Sequence, residues 1–373
     1  MAINNIDVRQ QNKKNIYKSI LSNDKIPRLK IAEQLGLSLP TVGSSIKELI
    51  DEGLIRGDET MSSTGGRKAS VVSAISDARI AIGIDITQNH VAFAAVNLKK
   101  EVFAFIRLSQ KFSDCEGYSN DVQSLFWRFV QKNGIEKEKI LGVGVSFPGI
   151  VNLNGERLLY SHRLGITAPS RPQFSDMLGV PSYFFNDATA ASLAECSAVE
   201  NLADFVFLSL SNSVGGAIII DGKVLLGNSM RSGEFGHIRI TTSNEKICYC
   251  GQKGHFDSYC SALVLAENTG GNLETFFKRL ELGDEQCERI FSEYLDYLSL
   301  MICNLRTAFN IPVILGGYVG SYLAPYIEEI RSRVVKMDTF QENTDDILLC
   351  TYKAEGAAAG AAIHFINNFI EKI

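Results

Sequence analysis

Between Ile80 and Ile106 the chain reads IAIGIDI-TQN-HVAFAAV-NLKK-EVFAFI. Three runs rich in Ile, Val, Phe and Ala, separated by short polar segments, are the pattern of a meander of buried strands. The pattern returns between Asp204 and Leu226 as FVFLSLS, GGAIII and KVLL, and each copy is followed by helical and further strand patterns. A duplicated meander with helices predicts an α/β chain of two lobes, and a cleft between lobes is where ligands favour binding. The competing reading is one sheet with unrelated hairpins. The duplication predicts a first lobe over 80–200 and a second over 201–373, with a separate unit over 1–79.

A chain of 373 residues with 45% hydrophobic content is long enough for two or three globular units. Its eight cysteines, at 115, 196, 248, 250, 260, 287, 303 and 350, show no disulfide-framework spacing. Residues 1–15 are polar and unlike a signal sequence, and no apolar run approaches the ~20 residues of a membrane-spanning helix. These features point to a reducing cytoplasm and away from a membrane. Charge is uneven: residues 1–79 hold 12 Lys+Arg against 9 Asp+Glu, the remainder 25 against 33. The small end is the basic end, as a nucleic-acid-binding unit would be.

From Lys30 to Ile55 the sequence KIAEQLGLSLPTVGSSIKELIDEGLI predicts two short helices around Gly36. Ala32 is small where they cross, Gly36 can take positive φ, Ser38 can cap the second helix, and Pro40 fits its first turn. Val42, Ile46, Leu49 and Ile50 are expected on its buried face, and Thr41, Ser44, Ser45 and Lys47 on the face presented to a major groove. Strand-like stretches then flank the turn-rich MSSTGGRK of 61–68, which completes a winged helix-turn-helix. Arg67 and Lys68 at its tip could reach phosphates or a minor groove. The competing reading is a helical hairpin for protein contacts.

The segment Gly233–Asp257 contains GEFGH and CYCGQKGHFD. His237, Cys248, Cys250 and His255 could converge tetrahedrally on a structural zinc, with Cys260 a spare ligand; two reduced thiols without metal is the alternative. Glu234 and Asp257 flank the set, so a pinned loop would aim two carboxylates at one place, as hydroxyl-rich ligands such as sugars require.

With GVGVSFPGIV at 142–151, NDATAA at 186–191, the GEFGH motif, the cysteine loop and LGG at 315–317, the chain resembles the ROK family of sugar kinases and sugar-responsive repressors. That resemblance implies an actin-like, ribonuclease-H-like two-lobed fold. It also implies that Gly149, Asn186, Asp187, Glu234, His237 and Asp257 line a sugar site. Asp187 matches the kinases' general base. It follows a strand and opens a helix, where a carboxylate is readily ionised, and a plain helix cap is its competing reading. Asp257 stands where the family has the longer glutamate. The winged head is similar to that of the repressor branch, which includes xylose and N-acetylglucosamine repressors.

The family kinases carry a glycine-rich phosphate loop at the first hairpin, whereas this chain has Asp85-Ile86-Thr87-Gln88-Asn89-His90, and a third such loop has Tyr318 in place of glycine. Poor or absent ATP binding is expected. The expected function is a sugar-responsive transcriptional repressor rather than an enzyme, a homodimer or homotetramer on operator DNA with a monosaccharide or sugar phosphate as effector. The rivals are a sugar kinase carrying a DNA-binding head, and a regulator governed by a protein partner.

Overall fold

The computed structural model describes residues 5–60, 70–172, 176, 178–199, 202–243, 245–340 and 343–373. The chain opens with α1 (Asn5–Leu21), β1 (Ile26–Pro27), α2 (Arg28–Leu35), α3 (Leu39–Asp51), β2 (Ile55–Thr60) and β3 (Ser70–Ala74). Gly36 turns the chain between α2 and α3 at φ 63°, and the Ser38 hydroxyl caps α3 by accepting from the Thr41 amide at 3.3 Å. The strands form a three-stranded sheet ordered β1-β3-β2, the base of the wing. Its tip, with Arg67 and Lys68, lies outside the described residues.

Two expectations for α3 do not hold. Ser45 is 4% exposed and Ile50 is 37% exposed, the reverse of the sides predicted for them. Ser45 stands three residues after Val42 and four before Leu49, so the helical period carries it onto the core face.

The first lobe contains β4 (Ile80–Ile86), β5 (His90–Asn97), β6 (Val102–Ser109), α4 (Glu116–Lys132), β7 (Ile140–Phe147), the short hairpin β8 (Ile150–Val151) and β9 (Leu158–Tyr160), β10 (Ser182–Asn186) and α5 (Asp187–Ala198). Its sheet is ordered β10-β7-β4-β5-β6, with the meander antiparallel and β7 and β10 parallel to β4. The second lobe builds the same plan from β11 (Phe205–Leu210), β12 (Val214–Ile220), β13 (Lys223–Val224), β14 (Val313–Gly316) and β15 (Ile347–Leu349), ordered β13-β12-β11-β14-β15. Between them the chain forms α6 (Asp257–Cys260), α7 (Ala262–Ala266), α8 (Leu273–Glu281), α9 (Glu285–Phe309), α10 (Gly317–Gly320) and α11 (Ile327–Met337). The duplicated meander is thus a duplicated five-stranded sheet.

The last helix, α12 (Gly356–Glu371), does not stay with the second lobe as the 201–373 division expects. It returns to the first lobe and lies against β4, β7 and α5. Small residues permit this: a Cβ on Gly83 would lie 1.7 Å from the Ala358 carbonyl oxygen, and one on Gly360 1.7 Å from that of Ala190. The opposite side of α12 joins the head. Ile363, Ile366 and Ile370 share one hydrophobic core with Ile16, Tyr17 and Ile20 of α1 and with Val42, Ile46 and Leu49 of α3. Lys14 and Lys18 pair with Glu371 at 3.0 and 2.5 Å around its rim. Head and first lobe are therefore one packed body.

Candidate sugar site and metal centre

Asn186 ends β10 and caps α5. Its Oδ1 accepts from the Thr189 amide at 3.0 Å and its Nδ2 donates to the Gly149 carbonyl at 3.1 Å. The capping role considered for Asp187 thus belongs to Asn186, whose amide is spent on holding α5 to the 148–149 loop. Gly149 has a packing reason to lack a side chain, since a Cβ there would meet the Tyr160 carbonyl oxygen at 2.4 Å.

Asp187 lies one residue inside α5 and faces the space between the lobes, with Oδ1 accepting from the Ala188 amide at 2.9 Å. Burial, reinforced by the neighbouring carboxylates of Asp85 and Glu234, pushes its acid up to about 7. Ready ionisation, expected from the helix amino terminus, is therefore opposed: loss of hydration outweighs the dipole here. Glu234 is also raised by burial, with Arg231 acting in the other direction.

These residues border a cavity of about 590 Å³ between the lobes, along with Gly149, Arg163, His237 and Tyr249. Asp257 is not among its lining residues. It is 4% exposed, its Oδ1 accepts from the Val214 amide at 2.6 Å, and its Oδ2 lies 3.7 Å from Arg163. The shorter arm that replaces glutamate is drawn into the β12 hairpin, so Asp257 supports the wall rather than facing the ligand space.

Arg163 belongs to no motif, and Tyr249, although inside the cysteine loop, is not among the residues that the sequence marks as candidates. Arg163 leaves the first lobe, donates to the Asn212 carbonyl at 2.9 Å and stacks over the Tyr249 ring at 4.1 Å, both in the second lobe. Alternation around Tyr249, between two candidate ligands at 248 and 250, is the one sign in the sequence that its side chain leaves the side of Cys248 and Cys250; its hydroxyl lies 3.1 Å from His237 Nε2.

His237, Cys248, Cys250 and His255 place their ligand atoms within 4.8 Å of one another. His255 Nδ1 lies 3.3 Å from both Cys250 Sγ and His237 Nδ1, while Cys248 Sγ is 4.0 Å from His237 Nδ1. Two imidazoles and two thiols at such mutual distances, on a loop bent by positive-φ Gly251 and Gly254, are a donor set that suits zinc. Cys260, the spare candidate, is buried and donates to the Tyr294 carbonyl at 3.5 Å, so it belongs to the core.

On the other side of Asp187 the cleft narrows to about 130 Å³. Thr87 and His90 close a tight turn, with the Thr87 amide donating to the His90 carbonyl at 2.9 Å. Tyr318 reaches across the cleft, where its hydroxyl accepts from Arg107 at 2.9 Å and its ring lies 4.7 Å beneath the guanidinium. Asp85, the carboxylate beside this loop, is buried and accepts from the Ser146 hydroxyl at 2.6 Å.

In the head, Ser44 and Lys47 are exposed on α3, Gly43 has open space before it, and Thr41 is half-buried with its hydroxyl 2.8 Å from that of Ser38. Ser44 and Lys47 thus lie on the solvent side of α3.

The model of the ROK family matches residues 81–368, and a winged helix-turn-helix DNA-binding model matches residues 9–56. The chain belongs to the ROK family. It is 26% identical over 356 residues to the xylose repressor of Caldicellulosiruptor bescii, covering 89% of each chain. It is also 29% identical over 236 residues to the N-acetylmannosamine kinase of Escherichia coli, covering 59% of this chain and 78% of that one. Among solved structures, a ROK family transcriptional regulator homologous to the E. coli MLC protein aligns with a TM-score of 0.74 at 19% identity, covering 98% of this chain and 97% of that one. A ROK body with a DNA-binding winged head makes this chain a ROK transcriptional regulator, similar to the xylose repressors. No helix among the described residues is long and apolar enough to cross a membrane.

Proposed function

We propose that this ROK protein represses carbohydrate-utilisation genes from the cytoplasm, binding a sugar between its lobes and operator DNA through its heads. One observation carries the reading: the head shares a core with the first lobe, while the cavity that holds Asp187, Glu234 and His237 lies between the first lobe and the second. A sugar that draws the lobes together changes the angle between the second lobe and the body that head and first lobe form, only as far as it prefers the closed form. In a homodimer or homotetramer, that angle sets whether two α3 helices reach half-sites about 34 Å apart.

Asp187 and Glu234 would accept hydrogen bonds from sugar hydroxyls, as acceptors rather than as a catalytic base. The Thr87–His90 turn without glycine and the Arg107–Tyr318 contact across the cleft both speak against a nucleotide on the far side, hence against the kinase reading. Zinc bound by His237, Cys248, Cys250 and His255 would supply structural cross-linking of the loop and no chemistry of its own. The purified chain is expected to hold one zinc per protomer by elemental analysis, and Cys250→Ser to hold none; a metal-free wild type would remove zinc from the account.

Fluorescence anisotropy of the full chain on fragments from beside its own gene tests the reading, with and without D-xylose, D-glucose and N-acetyl-D-glucosamine. Specific binding of one fragment, altered at least tenfold by one sugar, is expected. No fragment bound under any condition would end it. Ser44→Ala and Lys47→Ala should each weaken the specific fragment by about tenfold, the scale of one lost base or phosphate contact, whereas Ser45→Ala should disturb the packing of α3 instead.

A further inference from the structure

Tyr249 sits between two residues of the metal set yet faces the sugar cavity with Asp187, Glu234 and His237. His237 turns Nδ1 toward His255 and Cys248, which leaves Nε2 as its free ring nitrogen. That nitrogen is 3.1 Å from the Tyr249 hydroxyl and 4.0 Å from Glu234. The phenol therefore engages the imidazole nitrogen that is left to the ligand space, while both side chains line the cavity. Asp257 is withdrawn into the β12 hairpin, as described, so two of the groups that family resemblance places on the sugar are engaged elsewhere.

The phenol is held firmly. Arg163 covers its ring at 4.1 Å, and His162 and His237 meet it edge-on with ring centroids 5.3 and 5.4 Å away. A ring clamped on several sides loses little freedom when a ligand arrives, so a hydrogen bond from it is preorganised. A phenol both donates and accepts; with one bond to His237, its oxygen keeps the capacity for a second.

We propose that the Tyr249 hydroxyl, rather than the His237 ring, reads a sugar hydroxyl at this end of the cavity and sets which sugars bind. The ligand class is a sugar bearing a hydroxyl next to those held by Asp187 and Glu234. A sugar lacking that hydroxyl leaves the phenol half-satisfied and is rejected. This inference rests on the cavity being a sugar site.

The test is Tyr249→Phe in the full chain, which keeps the ring and its stacking on Arg163 and removes one oxygen. Zinc content and melting temperature are compared with the wild type first, and both should be unchanged. Calorimetry then uses D-xylose, D-glucose and N-acetyl-D-glucosamine, followed by the monodeoxy derivatives of whichever sugar the wild type binds. The variant should bind that sugar about tenfold more weakly, the scale of one neutral hydrogen bond. The difference between variant and wild type should disappear for one monodeoxy derivative and persist for the others. Equal or tighter binding by Tyr249→Phe would overturn the inference alone, since the phenol would then merely occupy the His237 nitrogen until a sugar displaces it. A wild type silent to all three sugars would overturn the sugar reading and this inference together.

Discussion

Gly360→Ala should lose a large share of the protein's stability. Its added Cβ would lie 1.7 Å from the Ala190 carbonyl oxygen and 3.0 Å from the Ala194 amide, both backbone atoms of α5 that cannot swing aside. Overpacking that displaces two packed helices costs ~3 kcal/mol or more, and a methyl gains at most ~1 kcal/mol of helix propensity in return. Against a typical net stability of ~5–15 kcal/mol, this removes a large share. Gly356→Ala is the matched control, because the nearest heavy atoms to its Cβ are side-chain carbons at 3.4 and 3.8 Å. Urea unfolding should place the two variants far apart, with Gly356→Ala near the wild type. Equal midpoints would mean that α12 does not pack as described.

Asp187→Asn should cost the most sugar affinity of any cavity substitution, and its pH dependence identifies the cause. The free acid sits up at about 7 because burial and the nearby Asp85 and Glu234 disfavour its charge. A sugar hydroxyl donating to Asp187 favours the ionised form, so binding lowers that pKa. Affinity should therefore rise as pH increases toward 8 and fall below about 7, where the carboxyl is protonated before the sugar arrives. Loss of a hydrogen bond to a charged group is worth ~1.5–3 kcal/mol, so at pH 8 Asp187→Asn should bind ~10–150-fold more weakly. Its profile across pH 6–8 should be flatter than that of the wild type. A wild-type affinity independent of pH in this window would place the bound sugar away from Asp187.

Much of the architecture can be read in short stretches. Gly36, Ser38 and Pro40 each have a backbone reason for their places, and these reasons hold without knowledge of distant residues. The two meanders are legible because alternation and burial are local as well. What could not be read is where remote pieces meet. The run of small residues in 356–362 signals close packing but does not name its partner, and only the fold shows Gly360 against Ala190. The same limit hid the fate of Asp257, whose carboxylate is captured by the amide of Val214, 43 residues earlier. Arg163 and Tyr249 escaped notice because their importance arises from an encounter between lobes. Ser45 differs: its spacing from Val42 and Leu49 held the answer, and its polarity argued the wrong way.

The union of α1, α3 and α12 bears on anyone wishing to exchange DNA specificities among such regulators. The head is no portable module. A polypeptide starting at Ile75 would present Ile363, Ile366 and Ile370 to water, a greasy strip inviting self-association, and would strip Glu371 of both its lysine partners. Grafting a foreign reader therefore requires transplanting the matching face of the terminal helix, so operator choice and carboxy-terminal sequence must change in concert.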